Sequence, residues 1–386
     1  MPKLLNALSH GFFSVLVLCL SLALSHCAPA GQRTESTSPI EALTTTQNTE
    51  GFARALKPRA FRFPQDAGPH PDFQTEWWYY TGNLSDAQGR AFGFQLTFFR
   101  RALAPVTTLQ PNDWPTEQVY FAHFTVSDIK NQRFYPFERW QRGSIDLAGA
   151  QAEPFRVWLH HWQIQGDPQG EVTLSAKADG VDLQLRLKPL KPLVLQGDRG
   201  LSQKSGGAGN ASYYYSRTRL ASAGTLRLPG ESTVFAVNGL SWLDREWSTS
   251  VLSREQSGWD WFSLQLPQQQ ELMLYQLRRK EGGVDRFSSG TFIDAEGTSH
   301  PLKAKDFTIE ATDTWVSPET GIRYPSAWQL KVPAHQLSLK VKPLMNNQEL
   351  PLSFTYWEGA VEIQNMQNAT LGRGYVELTG YDQNAF

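Results

Sequence analysis

Residues 241–266 combine acidic side chains with tryptophans in a pattern that suits acid chemistry. Asp244, Glu246 and Asp260 lie among four tryptophans in this stretch. If the chain is extended here, alternation places Trp242, Asp244 and Glu246 on one face of the strand. A buried carboxyl group keeps its proton near neutral pH because burial disfavours the charged form. The stretch therefore predicts a carboxylic acid that can donate a proton inside an aromatic pocket.

A structural role is the alternative for each of these carboxylates. Asp244 or Glu246 could pair with Arg245 or another arginine across a sheet, and such ion pairs also perturb pKa values. Asp260 alternates with apolar residues, but it lies close to Gly258, where it could cap a turn. The two roles differ in one respect: an acid lies in an apolar pocket without a fixed cation, whereas a structural aspartate contacts an arginine.

A second aromatic stretch lies near the start of the folded chain. Alternation over residues 75–82 places Glu76, Trp78 and Tyr80 on one face and two further aromatic side chains on the other. Aromatic residues on both faces predict a strand that is covered on both sides, between a core and a second layer.

Histidine and cysteine chemistry is limited in this chain. His123 lies within a strand-like segment, 119–128, where it is either a catalyst or a buried hydrogen-bonding residue. The eight histidines form no His-Glu-x-x-His motif, so we expect no zinc site. Both cysteines, Cys19 and Cys27, precede the folded part, which excludes a disulfide or a thiol nucleophile there.

Composition favours a sheet protein and argues against an anionic partner. The chain has 386 residues, enough for two domains, and 36 Lys+Arg against 37 Asp+Glu give a net charge of -1. This balance argues against nucleic acid as a partner. The 47 aromatic residues (13 Trp, 12 Tyr and 22 Phe) favour strands. Residues 197–210 are rich in Gly, Ser and Lys; they indicate a mobile loop without the spacing of a phosphate-binding loop.

The amino terminus is typical of an exported protein. Lys3 precedes an apolar run over 12–24, which predicts a signal peptide over 1–30 and a periplasmic location. Leu24–Cys27 resembles a bacterial lipobox, which would make Cys27 a lipid-anchored first residue, although His26 stands where a small residue is expected. Ala28-Pro29-Ala30 is the alternative cleavage site. Residues 31–60 are polar and aperiodic for most of their length, which predicts a flexible linker.

The remainder predicts an all-β protein. Short alternating segments bounded by Gly and Asp turns recur from about residue 61 to the end, and no long amphipathic helix interrupts them. Both halves have the length of a domain. We therefore expect two antiparallel barrels in tandem, over 61–237 and 238–386, with a boundary near the glycine at 239.

Four motifs in this order resemble the family of AttH proteins and carotenoid 1,2-hydratases, also called predicted secreted hydrolases. They are Thr75–Gly82 (TEWWYYTG), Trp242–Trp247 (WLDREW), Tyr356–Val361 (YWEGAV) and Gly374–Tyr381 (GYVELTGY). The resemblance implies two lipocalin-like (calycin) barrels that bind a hydrophobic ligand.

The hydratase branch of this family implies cofactor-free addition of water to an isoprenoid double bond. On this basis Asp244 is the acid, and Trp242 and Trp247 face the cation. The full set of candidates is catalytic Asp244, Glu246 and His123, and ligand-binding Glu76, Trp78, Tyr80, Trp242, Trp247, Asp260, Trp261, Tyr275 and Glu358.

The AttH branch implies a different function. Its members are exported partners of an ABC transporter, which predicts a carrier of a hydrophobic molecule. We expect this carrier function first and a hydratase or isomerase as the alternative. A hydrolase has less chemical support, because the chain has no Gly-x-Ser-x-Gly motif. The sequence leaves open whether the pocket lies inside one barrel or between the two.

Overall fold

The computed structural model describes residues 49–106, 117–249 and 252–382. The expected signal peptide, its cleavage sites and Cys27 lie outside these residues, as does most of the expected linker. The described residues all belong to one compact unit. No helix among them is long and apolar enough to span a bilayer.

Thirteen strands of the described chain form the first sheet. They are β1 (Thr75–Ser85), β2 (Ala91–Ala102), β3 (Gln118–Asp128), β4 (Arg133–Arg142), β5 (Ala148–Ala152), β6 (Phe155–Leu159), β7 (Trp162–Gly166), β8 (Val172–Ala178), β9 (Val181–Pro189), β10 (Val194–Leu195), β11 (Leu201–Gln203), β12 (Ala211–Arg227) and β13 (Val234–Ser248).

The first sheet curls into a nearly closed antiparallel barrel. Its strand order is β4-β3-β2-β1-β13-β12-β9-β8-β7-β6-β5, and β10 and β11 pair with β12. Regular alternation gives the barrel its inner face: on β9, Val181, Leu183, Leu185 and Leu187 are buried and the residues between them are not. The barrel interior is filled by apolar side chains.

Ten strands of the described chain form the second sheet. They are β14 (Gln256–Gln265), β15 (Glu271–Arg279), β16 (Ser289–Ile293), β17 (Ser299–Lys303), β18 (Thr308–Val316), β19 (Arg323–Val332), β20 (Leu337–Pro343), β21 (Glu349–Pro351), β22 (Thr355–Gln364) and β23 (Thr370–Leu378). Their order is β17-β16-β15-β14-β23-β22-β20-β19-β18, with β21 beside β22. Short 3-10 helices cover Gln65–Ala67, Pro267–Gln269, Ala304–Asp306 and Pro333–His335.

The second sheet encloses a core of its own. Phe262, Trp328 and Trp357 pack there with the aliphatic residues of β19, β20 and β22. The expected all-β fold with two lipocalin-like units is confirmed.

The boundary between the two units differs from the expected one. β13 runs through residues 237 and 238 without a break and pairs with both β1 and β12. The first sheet therefore extends to Ser248 and the second begins at Gln256. Gly239 does not bend the chain between two units. It allows close approach, because a Cβ at this position would lie 2.0 Å from the carbonyl oxygen of Asn83.

The expected linker also ends earlier than residue 60. Phe52 and Ala55 are buried, and the Arg54 guanidinium donates to Asn210 Oδ1 at 2.6 Å. These contacts fix the segment against the first sheet.

The two sheets meet through one face of β1, β2, β12 and β13. A cluster of buried aromatic residues joins them, with Tyr79, Tyr214 and Trp242 from the first sheet against Trp261 and Tyr275 from the second. This contact layer is covered on both sides, as the aromatic residues on both faces of β1 predict, and it contains the candidate site.

Candidate functional site

A cavity of about 120 Å³ lies between the two sheets. We call it the inter-sheet cavity. An apolar cavity of roughly 150 Å³ holds one benzene molecule, so this space suits a five-carbon unit or the end of a longer ligand. Its lining residues are Thr75, Trp77, Tyr79, Gln95, Phe99, Lys204, Tyr214, Asp244 and Glu246, followed along the chain by Leu252, Trp259, Trp261, Tyr275, Leu277, Phe354, Tyr356, Glu377 and Thr379.

Strand register explains why polar groups converge on this cavity. Residues that pair across neighbouring strands share a face of the sheet. One such row crosses six strands, from β4 to β12, and we call it the polar row. Its members are Glu138, His123, Thr97, Tyr79, Asp244 and Ser216.

Asp244 is held by neutral donors. Tyr214 Oη donates to its Oδ2 at 2.6 Å, and Ser216 Oγ and Trp242 Nε1 donate to its Oδ1 at 2.5 and 2.7 Å. Among the residues that the structure describes, no arginine or lysine forms an ion pair with it. Burial raises the pKa of Asp244 to about 7, against the opposing effect of the three hydrogen bonds. The side chain therefore meets the criterion for an acid.

Glu246 has a cation partner. Lys204 Nζ lies 3.1 Å from its Oε1 and 4.2 Å from the ring centre of Tyr275. Burial acts to lower the pKa of Lys204, but the charges of Glu246, Tyr275 and Asp244 and the hydrogen bond to Glu246 together outweigh it, and the pKa is raised. The mobile loop expected over 197–210 is therefore fixed at Lys204, which is buried.

The wall from the second sheet carries two carboxyl groups on paired strands. Glu377 lines the cavity and its Oε1 accepts from Trp259 Nε1 at 2.9 Å. Glu358 pairs with Glu377 across the strands and accepts from Tyr79 Oη at 2.6 Å. Burial raises the pKa of Glu377 to about 8 and that of Glu358 well above its ordinary value. Burial therefore shifts both groups toward the protonated, neutral form.

His123 is fully buried behind the cavity. Its Nδ1 lies 2.7 Å from Tyr356 Oη, and its Nε2 lies 3.1 Å from Glu138 Oε1. Tyr356 lines the cavity, so that His123 reaches it through this hydroxyl group and not directly.

Four candidates from the sequence point away from the cavity. Glu76 accepts from both Arg100 and Arg245 and, at 3.1 Å, contacts His70 Nδ1. Trp78, Tyr80 and Trp247 belong to the core of the first barrel. The opposite face of β1 lines the cavity, with Trp77 and Tyr79.

Asp260 also lies outside the cavity lining. Its Oδ1 is 3.2 Å from Arg278 Nε and accepts from Tyr381 Oη at 2.9 Å. Burial raises the pKa of Asp260, although the charge of Arg278 opposes the effect. A fixed cation marks it as a structural aspartate. Trp242 supports Asp244 from behind, and its ring makes an edge contact with Trp261 at 6.3 Å between ring centres.

Of the candidates from the sequence, Asp244, Glu246, Trp261 and Tyr275 line the cavity. Five further residues line the cavity but are not among the candidates from the sequence: Tyr79, Tyr214, Lys204, Tyr356 and Glu377. Tyr79 is identified by the pairing of β1 with β13, which places it directly beside Asp244.

The site has few means to hold a metal. Among the described residues, no group of three His, Cys, Asp or Glu side chains is arranged to bind an ion. The donors around Asp244 are hydroxyl and indole groups, which serve proton chemistry.

Two barrels with an aromatic site between them define a tandem lipocalin-like protein. Residues 54–381 match the family described as AttH-like, and the chain belongs to this family. A protein of Nitrosomonas europaea assigned as AttH is 35% identical, with a TM-score of 0.77 over 86% of this chain and 99% of that one.

A fungal enzyme shares the fold at lower identity. Kievitone hydratase of Nectria haematococca is 16% identical, with a TM-score of 0.63 over 86% of this chain and 98% of that one. A search of curated proteins found no match.

Proposed function

We propose that the chain is a cofactor-free hydratase that adds water to a carbon–carbon double bond at the end of an apolar, isoprenoid-like molecule. The observation that carries this proposal is Asp244, an acid in an aromatic cavity with three neutral hydrogen-bond donors and no ion pair. A pKa of about 7 leaves roughly half of this group protonated at neutral pH. The likeness to kievitone hydratase agrees with the proposal.

The lining of the cavity supports the following reaction. The Asp244 carboxyl group gives its proton to one alkene carbon, and the alkene electron pair forms the new C–H bond. A tertiary cation results on the neighbouring carbon, next to the ring faces of Trp77, Tyr79 and Trp261. Aromatic faces stabilise such a cation by about 0.5–2 kcal/mol each. Water then forms the C–O bond and releases one proton.

A direct assay tests this function. Lycopene and kievitone, offered separately to the purified chain in H₂¹⁸O, should yield products heavier by one molecule of labelled water, and Asp244→Asn should form them about 10²–10⁴-fold more slowly. Unchanged lycopene and kievitone after incubation with wild type at micromolar enzyme would contradict the proposal.

Carrier function is the second candidate, because the cavity is lined mainly by aromatic and apolar side chains and Asp244 is already satisfied by its donors. In that case a hydrophobic ligand binds in the inter-sheet cavity and passes to or from an ABC transporter. Organic extraction of protein from its native envelope separates the two: equal retention of one unmodified lipid by wild type and Asp244→Asn favours the carrier.

Export and a lipid anchor remain part of this proposal. They are supported by the basic start, the apolar run and Cys27 in the amino-terminal sequence. Metabolic labelling with a fatty acid should mark wild type and not Cys27→Ser. Labelling of neither, with the mature chain free in the periplasm, would favour cleavage after Ala30.

A further inference from the structure

A chain of three hydrogen-bonding groups leads from the inter-sheet cavity to the surface. Tyr356 Oη, in the lining, is 2.7 Å from His123 Nδ1, and His123 Nε2 is 3.1 Å from Glu138 Oε1. His123 is fully buried, whereas 13% of the Glu138 side chain is exposed. Glu138 and His123 belong to the polar row, and Tyr356 comes from the second sheet. We call these three residues the Tyr356 relay.

The proposed hydration needs a base that other carboxyl groups of the cavity do not provide. Burial raises the pKa of Glu377 to about 8 and that of Glu358 well above its ordinary value, which favours the protonated form of both groups. Glu246 is paired with Lys204. A group that is unprotonated at pH 7 and is not held by a cation can serve as the base instead.

His123 meets this requirement. Burial lowers its pKa, and the hydrogen bond and charge of Glu138 only partly offset the effect. Its other neighbours, Phe99, Phe121 and Phe354, are uncharged, and Tyr356 is neutral at pH 7 because burial raises its pKa. A neutral imidazole with a carboxylate on one nitrogen and a hydroxyl group on the other has the arrangement that activates nucleophiles in many enzymes.

The spacing fits attack from the face opposite the acid. Gln95 Nε2 on β2 donates to Tyr356 Oη at 3.0 Å and to Thr97 Oγ1 at 3.2 Å. Thr97 lies two strands from Asp244 in the polar row. Two strand spacings are about 10 Å. Acid to alkene, alkene to water and water to Tyr356 need about 3 Å each, or roughly 9 Å in line. This separation is of the size that one alkene and one water need between the acid and the relay, beside the lining residue Tyr79.

We propose that Tyr356, His123 and Glu138 form a proton relay that accepts the proton of the attacking water. The inference rests on the proposed hydratase function. As the water oxygen bonds to the cationic carbon, its proton passes to Tyr356 Oη and the phenol proton passes to His123 Nδ1. The imidazolium ion is stabilised by the Glu138 carboxylate, from which the proton reaches solvent. Tyr356 ends unchanged, and Asp244 regains a proton from solvent after product release.

The tautomer of His123 tests the relay without any substrate. Nitrogen NMR of the imidazole-labelled protein should show a neutral ring with its proton on Nε2 at pH 7, because Nδ1 must be free to accept from Tyr356. Glu138→Gln keeps an acceptor at Nε2 but removes the charge, so protonation of His123 should move to lower pH. A proton on Nδ1 at pH 7 would overturn the relay, whatever the activity of the protein.

Kinetics with lycopene and kievitone supply the second measurement. Tyr356→Phe should lower kcat about 10²–10⁴-fold with little change in KM. Glu138→Gln should shift the acidic limb of the rate profile to lower pH. Tyr324→Phe, which removes a buried hydroxyl group 2.9 Å from Glu349 in the second barrel, is the matched control and should keep the rate within about twofold.

The outcomes separate the two proposals. A Tyr356→Phe variant that keeps more than half of kcat overturns the relay while the hydratase stands. Wild type that hydrates neither lycopene nor kievitone, with the proton of His123 on Nε2, counts against the hydratase and supports the relay geometry.

Discussion

Glu76 and Asp244 are both buried carboxyl groups of the central strands, and they differ in every other respect. Glu76 faces the first barrel, where Arg100, Arg245 and His70 surround it. Asp244 faces the second sheet, where Tyr214, Ser216 and Trp242 donate to it. Burial raises the pKa of both groups. The two arginines reverse the effect at Glu76, whose pKa lies well below its ordinary value, whereas nothing reverses it at Asp244.

The two faces of one sheet therefore hold carboxyl groups with different properties: Glu76 stabilises the fold on one face, and Asp244 has the properties of an acid on the other. Cations fix Glu76 in its ionised form on one face, where it ties the 66–76 segment to the barrel through His70 and Arg245. Neutral donors leave Asp244 able to exchange a proton on the other face. The partner of a buried carboxylate, more than its burial, decides its role.

The largest expected difference is kinetic. Asp244→Asn should reduce hydration of lycopene or kievitone about 10²–10⁴-fold, because the amide cannot donate a proton of comparable acidity. It should still fold, since the amide oxygen can accept from Ser216 and Trp242. Turnover and urea unfolding measured on the same sample check both statements. Full activity of Asp244→Asn would show that Asp244 is not the acid, and the proposed difference between the Glu76 face and the Asp244 face would be wrong.

Glu76→Gln should show the opposite pattern and lose stability. Two buried guanidinium groups would lose their carboxylate, which costs about 3–5 kcal/mol of unfolding free energy. Urea denaturation at pH 7 measures this loss. A change below about 1 kcal/mol would mean that Arg100 and Arg245 are satisfied by backbone carbonyls alone.

The pH dependence of stability should have opposite signs at the two sites. Asp244 has a raised pKa, so its contribution is fully present below its unfolded value of 3.8 and is lost as the pH rises to about 7. The difference amounts to roughly 4 kcal/mol for a shift of about three pKa units. Glu76 has a lowered pKa, so its contribution is present above 4.5 and is lost as the pH falls.

Unfolding free energies of wild type and both variants between pH 2 and 8 test these signs. Asp244→Asn should gain stability relative to wild type as the pH rises, and Glu76→Gln should lose it. Parallel curves for the two variants would contradict the assignment.

Asp260→Asn should have the smallest effect on turnover. Asp260 is buried like Asp244, but Arg278 and Tyr381 hold it outside the cavity lining. We expect a loss of about 1–2 kcal/mol in stability and a rate within about twofold of wild type. A rate loss as large as that of Asp244→Asn would show that a fixed cation does not exclude catalysis here.

Strand periodicity explains what could be predicted from the sequence. Alternation over Trp242–Trp247 correctly places Asp244 and Glu246 on one face, because period-two geometry needs no knowledge of the partner strands. The same rule does not choose between the faces of β1, since both are aromatic. Which face of β1 lines the cavity depends on where the second sheet packs, and the sequence of β1 itself does not indicate this.

Long-range contacts account for the remainder. Lys204 lies in a Gly- and Ser-rich segment, and only its approach to Glu246, 42 residues along the chain, gives it a role. Tyr356 and His123 are 233 residues apart. No periodicity connects such positions, although each of them lies on a recognisable strand or loop.

The chain crosses from the first sheet to the second between β13 and β14, so the residues around the cavity come from two separate parts of the sequence. Asp244, Lys204 and His123 precede the crossing, whereas Trp261, Tyr356 and Glu377 follow it. Asp244 is therefore encoded with the first barrel and much of the aromatic lining of the cavity with the second. Recombination at residues 249–255 would exchange the recognition half among relatives while the acid stays in place, a route by which one scaffold could diversify its substrates.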